Sequence, residues 1–303
     1  MYGIVLCGPT GVGKTDISIR LAEKINAEII STDSMQVYKH MNIGTAKIIE
    51  NETKGIKHHM LDIVEPNYKF TVGEYQKRAD EILNKLEESN KNVILVGGTG
   101  LYIDSVIRGL SILPKSDTRI RENLENKTKK ELFDELEKLD KEASETIHIN
   151  NKIRLIRALE VCKITGKKFS ELKNKNVKNN NYKFYKFGLT RDREILYERI
   201  NKRVEIMFDN GLLEEAKYLY ENYKEGLDSI QAIGYQELFE YFDGKIQLEE
   251  AKELIKQNSR KYAKRQFTWF NKDQEMKWFD LDKENIEKII NEMMKIINEK
   301  ECS

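Results

Sequence analysis

Short apolar runs alternate with helical patterns in the first third of the chain. The runs at residues 2–7, 27–31 and 92–98 are mostly apolar, as in strands that are buried on both faces of a parallel sheet. Apolar residues recur at helical spacing between the first two runs, and residues 70–89 form a second helical pattern that Thr71 is placed to cap. Strands that alternate with helices predict an α/β fold with a parallel sheet.

The pattern changes after residue 114. Residues 115–181 contain charged helical patterns and no convincing strand. A strand pattern returns at 182–190, helices dominate after it, and 276–281 is one late strand candidate. We therefore predict a parallel sheet flanked by helices, with an inserted all-helical subdomain. The predicted core comprises residues 1–114 and 182–303, and the predicted insertion comprises residues 115–181.

The composition is that of a globular protein with a heavily charged surface. Of the 303 residues, 39% are hydrophobic and 34% are charged, and the net charge is +1, so a nucleic-acid site has to come from local basic patches. No run approaches the roughly 18 apolar residues of a membrane-spanning helix, and we see no signal-peptide pattern. The three cysteines, Cys7, Cys162 and Cys302, lie far apart and form no C-x-x-C pair. These features predict a cytoplasmic protein that has no membrane contact and no disulfide framework.

Residues 8–15, GPTGVGKT, match G-x-x-x-x-G-K-[ST] at every fixed position. The segment lies between a predicted strand and a predicted helix, which is the context that a phosphate-binding loop (P-loop) requires. Backbone N–H groups around Gly11 and Gly13 can converge on phosphate oxygens. Lys14 adds a positive charge, and the Thr15 hydroxyl can ligate Mg²⁺. The motif therefore predicts a phosphate site, and a glycine-rich turn without a ligand is the alternative.

The carboxylate that nucleotide-hydrolysing P-loop proteins carry at the end of a further strand is missing here. The strand at 92–98 ends in glycines that are followed by Thr99. The best-placed carboxylate is Asp33, which follows the strand at 27–31. Asp33 can serve as a metal partner beside Mg²⁺, as a general base beside an incoming nucleophile, or as an ordinary turn residue.

Five motifs along the chain together resemble those of the tRNA dimethylallyltransferase family, also called tRNA isopentenyltransferases. In chain order they are GPTGVGKT (8–15), DSMQVYKHMNIGTAK (33–47), GGTGLYI (97–103), RLIRALEV (154–161) and YAKRQFTWF (262–270). The second motif and KRQFTWF are far more specific than the P-loop. The zinc finger of eukaryotic members is absent from the sequence, so the chain is similar to the bacterial type.

The resemblance implies transfer of a dimethylallyl group from dimethylallyl diphosphate to N6 of the adenosine immediately 3′ of the anticodon in tRNA. The P-loop would hold the diphosphate, which becomes the leaving group, and Lys14, the loop amides and Mg²⁺ would stabilise its growing charge. Asp33 matches the general base of the family, and Thr15 and Asp33 are the expected metal contacts. The residues expected to bind the diphosphate are Gly8, Pro9, Thr10, Gly11, Val12, Gly13, Lys14 and Thr15.

The resemblance also implies which residues meet the anticodon stem-loop of tRNA. Thr99 is expected near the reacting groups and Arg121 near the diphosphate or the tRNA, and the two complete the catalytic set with Asp33, Lys14 and Thr15. Taken alone, Thr99 is equally a helix cap, and Arg121 is a solvated helix charge. The residues expected to bind tRNA are Asp33, Ser34, Met35, Gln36, Thr99, Arg121, Arg154, Arg157, Gly234, Tyr235, Lys261 and Arg265. The expected enzyme is a monomer.

A helical pattern at residues 256–271 separates basic from aromatic side chains. The basic side, predicted to be free for an RNA backbone, carries Arg260, Lys261, Lys264 and Arg265. The other side, predicted to lie in the core, carries Tyr262, Phe267, Trp269 and Phe270.

Three other functions are compatible with parts of the sequence. Adenylate isopentenyltransferases have similar loops but act on free AMP, ADP or ATP, and the helical insertion and the basic helix favour an RNA acceptor instead. An ATP-dependent small-molecule kinase shares the P-loop, but the absent strand-end carboxylate and the DSMQ segment argue against it. A non-catalytic RNA-binding module would have no use for a complete P-loop.

Overall fold

The chain forms two compact units in a computed structural model, which describes residues 1–173, 176–178, 180–223 and 232–301. Unit 1 comprises Met1–Ser105 and Asn180–Ser303, and unit 2 comprises Val106–Asn179. Within the described ranges, no helix is both long enough and apolar enough to cross a membrane.

Unit 1 is built on a six-stranded parallel sheet. Its strands are β1 (Tyr2–Cys7), β2 (Ala27–Ser31), β3 (His58–His59), β4 (Asn92–Gly97), β7 (Lys183–Thr190) and β8 (Lys277–Asp280), and the remaining two strands, β5 (Leu110–Ser111) and β6 (Asn176–Val177), belong to unit 2. The order across the sheet is β3-β2-β4-β1-β7-β8. The five strands that the sequence predicts are confirmed, and the two-residue β3 is an addition because it is too short to show a periodicity.

Helices flank the sheet within unit 1. They are α1 (Lys14–Ile25), α2 (Val72–Glu88), α9 (Arg193–Asp209), α10 (Leu212–Asn222), α11 (Tyr235–Phe242), α12 (Leu248–Phe270) and α13 (Ile286–Glu301). Unit 2 contains α4 (Thr118–Glu125), α5 (Lys129–Leu139), α6 (Lys141–Thr146), α7 (Lys152–Thr165) and α8 (Phe169–Lys173), and the boundary between the units falls within α3 (Gly100–Ile107). Thr71 caps α2 as predicted, because its side chain accepts the Glu74 N–H at 3.2 Å. The apolar face of α13 packs with α1 in the main core, where Ile289, Ile290 and Met293 are fully buried.

The strand order brings three loops to one edge of the sheet. β4 lies between β1 and β2, and all three strands are parallel. Their carboxyl ends therefore lie at the same edge, where ligands bind in open α/β sheets. The loops that leave this edge carry the P-loop after β1, Asp33 after β2, and the GGTG segment after β4.

Unit 2 has its own small core, in which side chains from α4, α5 and α7 meet. Leu124, Leu132, Leu136, Leu155 and Leu159 are fully buried there. The unit is helical apart from the two-residue antiparallel pair of β5 and β6. The sequence does not predict this pair, again because two residues carry no recognisable alternation.

Candidate active site

Hydrogen bonds join the loops that follow β2 and β4. The Thr99 N–H donates to Thr32 O at 3.1 Å, and the Ser34 N–H donates to the Thr99 hydroxyl at 3.1 Å. Gly97 lies against Thr32 so closely that a Cβ on Gly97 would fall 2.3 Å from the Thr32 hydroxyl oxygen. The glycine therefore allows the two loops to approach, and Thr99 acts as a contact to the Asp33 loop as well as the start of α3.

The P-loop has the open backbone shape that anion binding requires. Gly11 and Gly13 have φ angles of +78° and +113°, which residues with a side chain rarely adopt. Gly13 caps α1 without a side-chain acceptor, so the first N–H groups of the helix face out of its end. The Lys14 ammonium donates to Gly8 O and Pro9 O, each at 2.9 Å, and lies across the loop. This end of α1 can accept a phosphate group.

Three arginines that the sequence does not single out also contact the P-loop. Arg203 donates to the Thr10 hydroxyl at 3.2 Å, Arg199 to Gly11 O at 2.9 Å, and Arg191 to Val12 O at 2.9 Å. Arg199 and Arg203 are four residues apart on α9, so they lie on one face of that helix. In the sequence they look like solvated charges, because α9 carries many charged residues and only the fold brings this face to the loop.

Electrostatics place Asp33 in the same site as these cations. Burial, followed by the neighbouring Arg203, lowers the pKa of Lys14 from 10.5 to about 8, whereas Asp33 opposes the shift. Burial also lowers the pKa of Arg203, and Asp33 again opposes the shift. The two cations are therefore close enough to interact with each other and with the Asp33 carboxylate.

Gln266 of α12 links the P-loop to the GGTG segment. Its side-chain oxygen accepts the Thr10 N–H at 2.9 Å, and its side-chain nitrogen donates to Gly98 O at 3.1 Å. Gln266 is 6% exposed, and a Cβ on Gly98 would fall 1.8 Å from its nitrogen. Sequence reasoning missed Gln266, although its place within the specific KRQFTWF motif was an available signal.

The aromatic side of α12 is only partly in the core. Phe270 is 3% exposed, as predicted, but Phe267 and Trp269 are 40% and 39% exposed, so the prediction is wrong for these two. Trp269 lies against the GGTG segment, where a Cβ on Gly100 would fall 2.2 Å from its indole nitrogen. The half-buried Tyr262 lies near Thr99 and Gln266 and belongs to the site rather than to a purely apolar core.

Residues 33–47, which we call the acceptor loop, form a compact structure after β2. The Met35 N–H donates to Asp33 Oδ1 at 2.9 Å, which leaves Oδ2 without a hydrogen bond among the described residues. Gln36 accepts from the Ser31 hydroxyl at 2.9 Å and donates to Thr45 O at 3.2 Å. Both ends of the Gln36 amide are therefore held within the protein.

Gly234 and Tyr235 lie at the start of α11. Gly234 has a φ of +101° and open space around its Cβ position, and its role towards tRNA stays a prediction. Tyr235 is fully buried, and its hydroxyl donates to Glu215 at 2.6 Å. The prediction that the Tyr235 side chain contacts tRNA is not compatible with this burial. The aromatic ring fills the protein interior instead.

Arg121 and Arg157 meet at a buried carboxylate in unit 2. Glu160 is 0% exposed and pairs with Arg157 at 2.5 Å and with Arg121 at 3.4 Å. Arg154 is exposed, whereas Arg157 is half-buried and paired with Glu160. The roles of all three towards diphosphate or tRNA stay predictions.

The chain is similar to tRNA-modifying enzymes over almost its whole length. The family model described as IPP transferase matches residues 36–273. The tRNA dimethylallyltransferase of Fusobacterium nucleatum is 55% identical over 295 residues, which cover 97% of each chain. That of Clostridioides difficile is 46% identical over 303 residues, with 98% and 97% of the two chains covered.

Solved structures give the same result. The full-length tRNA isopentenylpyrophosphate transferase of Bacillus halodurans is 41% identical, with a TM-score of 0.74 and 98% and 96% of the two chains covered. A eukaryotic dimethylallyltransferase acting on tRNA is 29% identical, with a TM-score of 0.81, 96% of this chain covered and 78% of the other.

Proposed function

This chain belongs to the IPP transferase family, and from that premise we propose that it transfers a dimethylallyl group from dimethylallyl diphosphate to N6 of the adenosine 3′-adjacent to the anticodon in tRNA. The observation that carries the proposal is that the P-loop after β1 and the Asp33 loop after β2 leave the same edge of the parallel sheet, where Asp33 is near enough to Lys14 to oppose the lowering of its pKa. One site therefore contains a P-loop that can bind an anionic leaving group and a carboxylate that can accept a proton. An alkyl transfer to an amine needs both groups in one site.

The donor half of the reaction uses the P-loop. As the allylic C–O bond breaks, positive charge develops on the prenyl carbon and negative charge on the diphosphate. The free N–H groups at the start of α1, the Lys14 ammonium and the Arg203 guanidinium face the place where that negative charge grows. Donors fixed before the reaction stabilise the transition state without reorganisation, and this is usually the largest contribution to catalysis.

The acceptor half of the reaction uses Asp33. The exocyclic amine of adenine attacks the prenyl carbon and has to lose a proton as the N–C bond forms. Asp33 Oδ1 is held by the Met35 N–H, so Oδ2 is the oxygen that takes the proton. Thr99, whose hydroxyl accepts the Ser34 N–H and whose N–H donates to Thr32 O, fixes the loop on which Asp33 lies. Extrusion of an unpaired loop base into this site requires little energy.

Mg²⁺ is compatible with the donors at the P-loop. Mg²⁺ commonly takes one or two protein oxygens and completes its coordination with phosphate oxygens and water. The Thr15 hydroxyl makes no hydrogen bond among the described residues, and Asp33 Oδ2 is also available. Thr15 would therefore bind the ion through its hydroxyl, and Asp33 would contact it through water, because Oδ2 takes the proton. The ion would neutralise charge on the departing diphosphate.

An exposed basic and aromatic surface on α12 supports an RNA acceptor. Lys261, Lys264 and Arg265 are exposed, and Trp269 is exposed beside the GGTG segment. Basic side chains neutralise phosphates, and an aromatic ring can stack on an unpaired base. We assign the reaction to a monomer in the cytoplasm, where the buried free thiols of Cys7 and Cys162 fit a reducing environment.

The acceptor is tested by supplying labelled dimethylallyl diphosphate and Mg²⁺ with tRNA, with AMP, or with no acceptor. We expect label on tRNA at the adenosine that follows the anticodon and none on AMP. Label on AMP but not on tRNA would favour an adenylate isopentenyltransferase. Consumption of ATP with a small acceptor would favour a kinase.

A further inference from the structure

Glu215 of α10 binds three successive backbone N–H groups of the acceptor loop. Its carboxylate accepts from Asn42 N at 2.9 Å, from Ile43 N at 2.9 and 3.0 Å, and from Gly44 N at 3.0 Å. Successive N–H groups that converge on one anion form a nest, a backbone concavity that binds negative charge. Residues 42–44 thus form an anion site that a side chain of the same chain occupies.

Two further contacts hold this nest in place. Tyr235 donates its hydroxyl to Glu215 at 2.6 Å, and a Cβ on Gly44 would fall 2.6 Å from the Tyr235 ring. The buried Lys47 donates to Tyr38 O at 2.8 Å and to the Asn42 side chain at 2.9 Å. The nest is therefore a packed structure in which Gly44 is required by the ring of Tyr235.

The nest is connected to Gln36 through one residue. Thr45 follows Gly44 directly and accepts the Gln36 side-chain N–H at 3.2 Å, while the Thr45 hydroxyl donates to Met41 O at 2.6 Å. The Ser31 hydroxyl fixes the other end of the Gln36 amide. Because one end has a carbonyl partner, the Gln36 nitrogen must face Thr45 and its oxygen must face Ser31. Displacement of residues 42–45 would remove the partner that orients Gln36.

We propose that Glu215 is a positioning residue for the tRNA acceptor: its carboxylate fills the N–H nest of residues 42–44 and thereby fixes the part of the acceptor loop that carries Gln36. The proposal rests on the proposed function, because it assumes that this loop receives a nucleotide of tRNA. Among the described residues no hydrogen bond joins Glu215 to the P-loop, so its effect is on the acceptor and not on the donor.

The matched test compares Glu215→Gln with Glu214→Gln. Both substitutions remove one negative charge from the first turn of α10, but Glu214 is exposed and, within the described part of the chain, makes no hydrogen bond to the nest. Glutamine at 215 presents an NH₂ group to N–H groups that need an acceptor, so at least one of them loses its partner. Since hydrogen bonds to charged groups are strong, we expect E215Q to lower kcat/KM for tRNA about tenfold to a hundredfold relative to E214Q.

Two readouts separate positioning from a general loss of structure. The Kd of inorganic diphosphate, measured without tRNA, should be the same in E215Q and E214Q. Hydrogen exchange of the amides of residues 42–44 should be faster in E215Q than in the wild type and unchanged in E214Q. Tyr235→Phe keeps the ring and removes one donor to Glu215. It should lower kcat/KM for tRNA and speed exchange at residues 42–44 less than E215Q does, with the Kd of diphosphate unchanged. This variant replaces E215Q in the test if E215Q does not fold.

Equal kcat/KM for tRNA in E215Q, Y235F and E214Q would overturn the proposal, as would a loss of diphosphate affinity that matches the loss of tRNA turnover. Failure of the wild type to prenylate tRNA would overturn the proposed function and the tRNA part of this inference. The hydrogen-exchange comparison would then still decide whether Glu215 fixes the loop, so the two failures are distinguishable.

Discussion

The P-loop and the acceptor loop leave the same edge of one sheet, but different parts of the chain hold them in shape. The P-loop is defined by its own residues, with glycines at positive φ and Lys14 folded across the carbonyl groups of Gly8 and Pro9. The acceptor loop depends on Glu215, which lies 171 to 173 positions further along the chain than the N–H groups it binds. A locally determined loop can be recognised from a short motif, whereas a loop with remote supports needs the fold.

Because the two loops have different supports, we predict that substitutions in the P-loop and in the acceptor loop have separable effects on the kinetics of the two substrates. Substitutions in the P-loop should change the affinity for the donor diphosphate, and substitutions in the acceptor loop should change the use of tRNA. Replacement of Asp33 should slow the chemical step, in which both substrates take part.

The largest effect is expected for Asp33→Asn. Asparagine keeps an oxygen for the Met35 N–H but cannot take the proton of the attacking amine, so kcat should fall by about 10²–10⁴-fold. The Kd values of tRNA and of diphosphate should change little. A kcat within threefold of wild type in single-turnover assays would remove Asp33 from the role of base.

A large effect on the donor side is expected for Arg203→Leu. Removal of one preorganised donor to a developing negative charge lowers kcat by about 10²–10³-fold. Lys202→Ala is the matched control, since Lys202 is an exposed neighbour on the same helix. Equal kinetics of the two variants would mean that Arg203 only braces Thr10.

Gln266→Leu should have an intermediate effect. The change leaves the Thr10 N–H and the Gly98 carbonyl unpaired in a buried place, which lowers the free energy of unfolding by about 1–3 kcal/mol. Because the P-loop also loses a support, we expect a rise of about tenfold in the KM for dimethylallyl diphosphate. Gln257→Leu, at an exposed position of α12, controls for the loss of an amide. A normal donor KM in Q266L would show that Gln266 is not needed to shape the P-loop.

The pH dependence of diphosphate binding should follow Lys14. Its pKa in the folded chain is about 8, below the ordinary 10.5, so the ammonium is present below pH 8 and is lost as the pH rises through that value. The Kd of diphosphate should therefore rise by up to about tenfold per pH unit above 8, because affinity requires the charged form. Between pH 8 and 10.5 the unfolded chain binds more protons at this lysine, so the contribution of Lys14 to stability rises with pH in that window.

Lys14→Arg is the control for the pH profile. Its guanidinium stays charged throughout this range. A Kd profile that is steep in both proteins would assign the pH dependence to another group.

The smallest effect is expected at the RNA surface. Lys261→Ala should lower tRNA affinity a few-fold and reduce the slope of log K against log salt by about 1, as for the loss of one phosphate contact. Lys295→Ala, whose side chain is 74% exposed on α13, is the control. An unchanged salt slope in K261A would remove this residue from the tRNA interface.

The sequence predicts the parts of the molecule that have local periodicity or a fixed motif. The strands β1, β2, β4, β7 and β8 and the P-loop are of this kind, and so is the Thr71 cap. The residues on distant helices that hold the loops of the site could not be predicted in the same way. Arg203, Gln266 and Glu215 are polar residues on amphipathic helices, and nothing in a helical pattern distinguishes a charge that faces solvent from one that faces a loop.

The solvent exposure of individual aromatic side chains was hard to predict for the same reason. Helical spacing places Phe267 and Trp269 opposite the basic side of α12, which indicates a core face. Both are partly exposed instead: Trp269 lies against Gly100 of the GGTG segment, and Phe267 lies against the ring of Trp278. Tyr235 is the reverse case, since a residue in an apparently functional motif is fully buried.

One measurement tests the central claim, that the P-loop holds a diphosphate that departs from carbon. In a single turnover with tRNA and no ATP, dimethylallyl diphosphate would carry one label in the prenyl group and another in the diphosphate. The account predicts one prenyl label on tRNA for each labelled diphosphate released, with no phosphate label on any acceptor. Transfer of the phosphate label to an acceptor, or prenylation only when ATP is added, would contradict it.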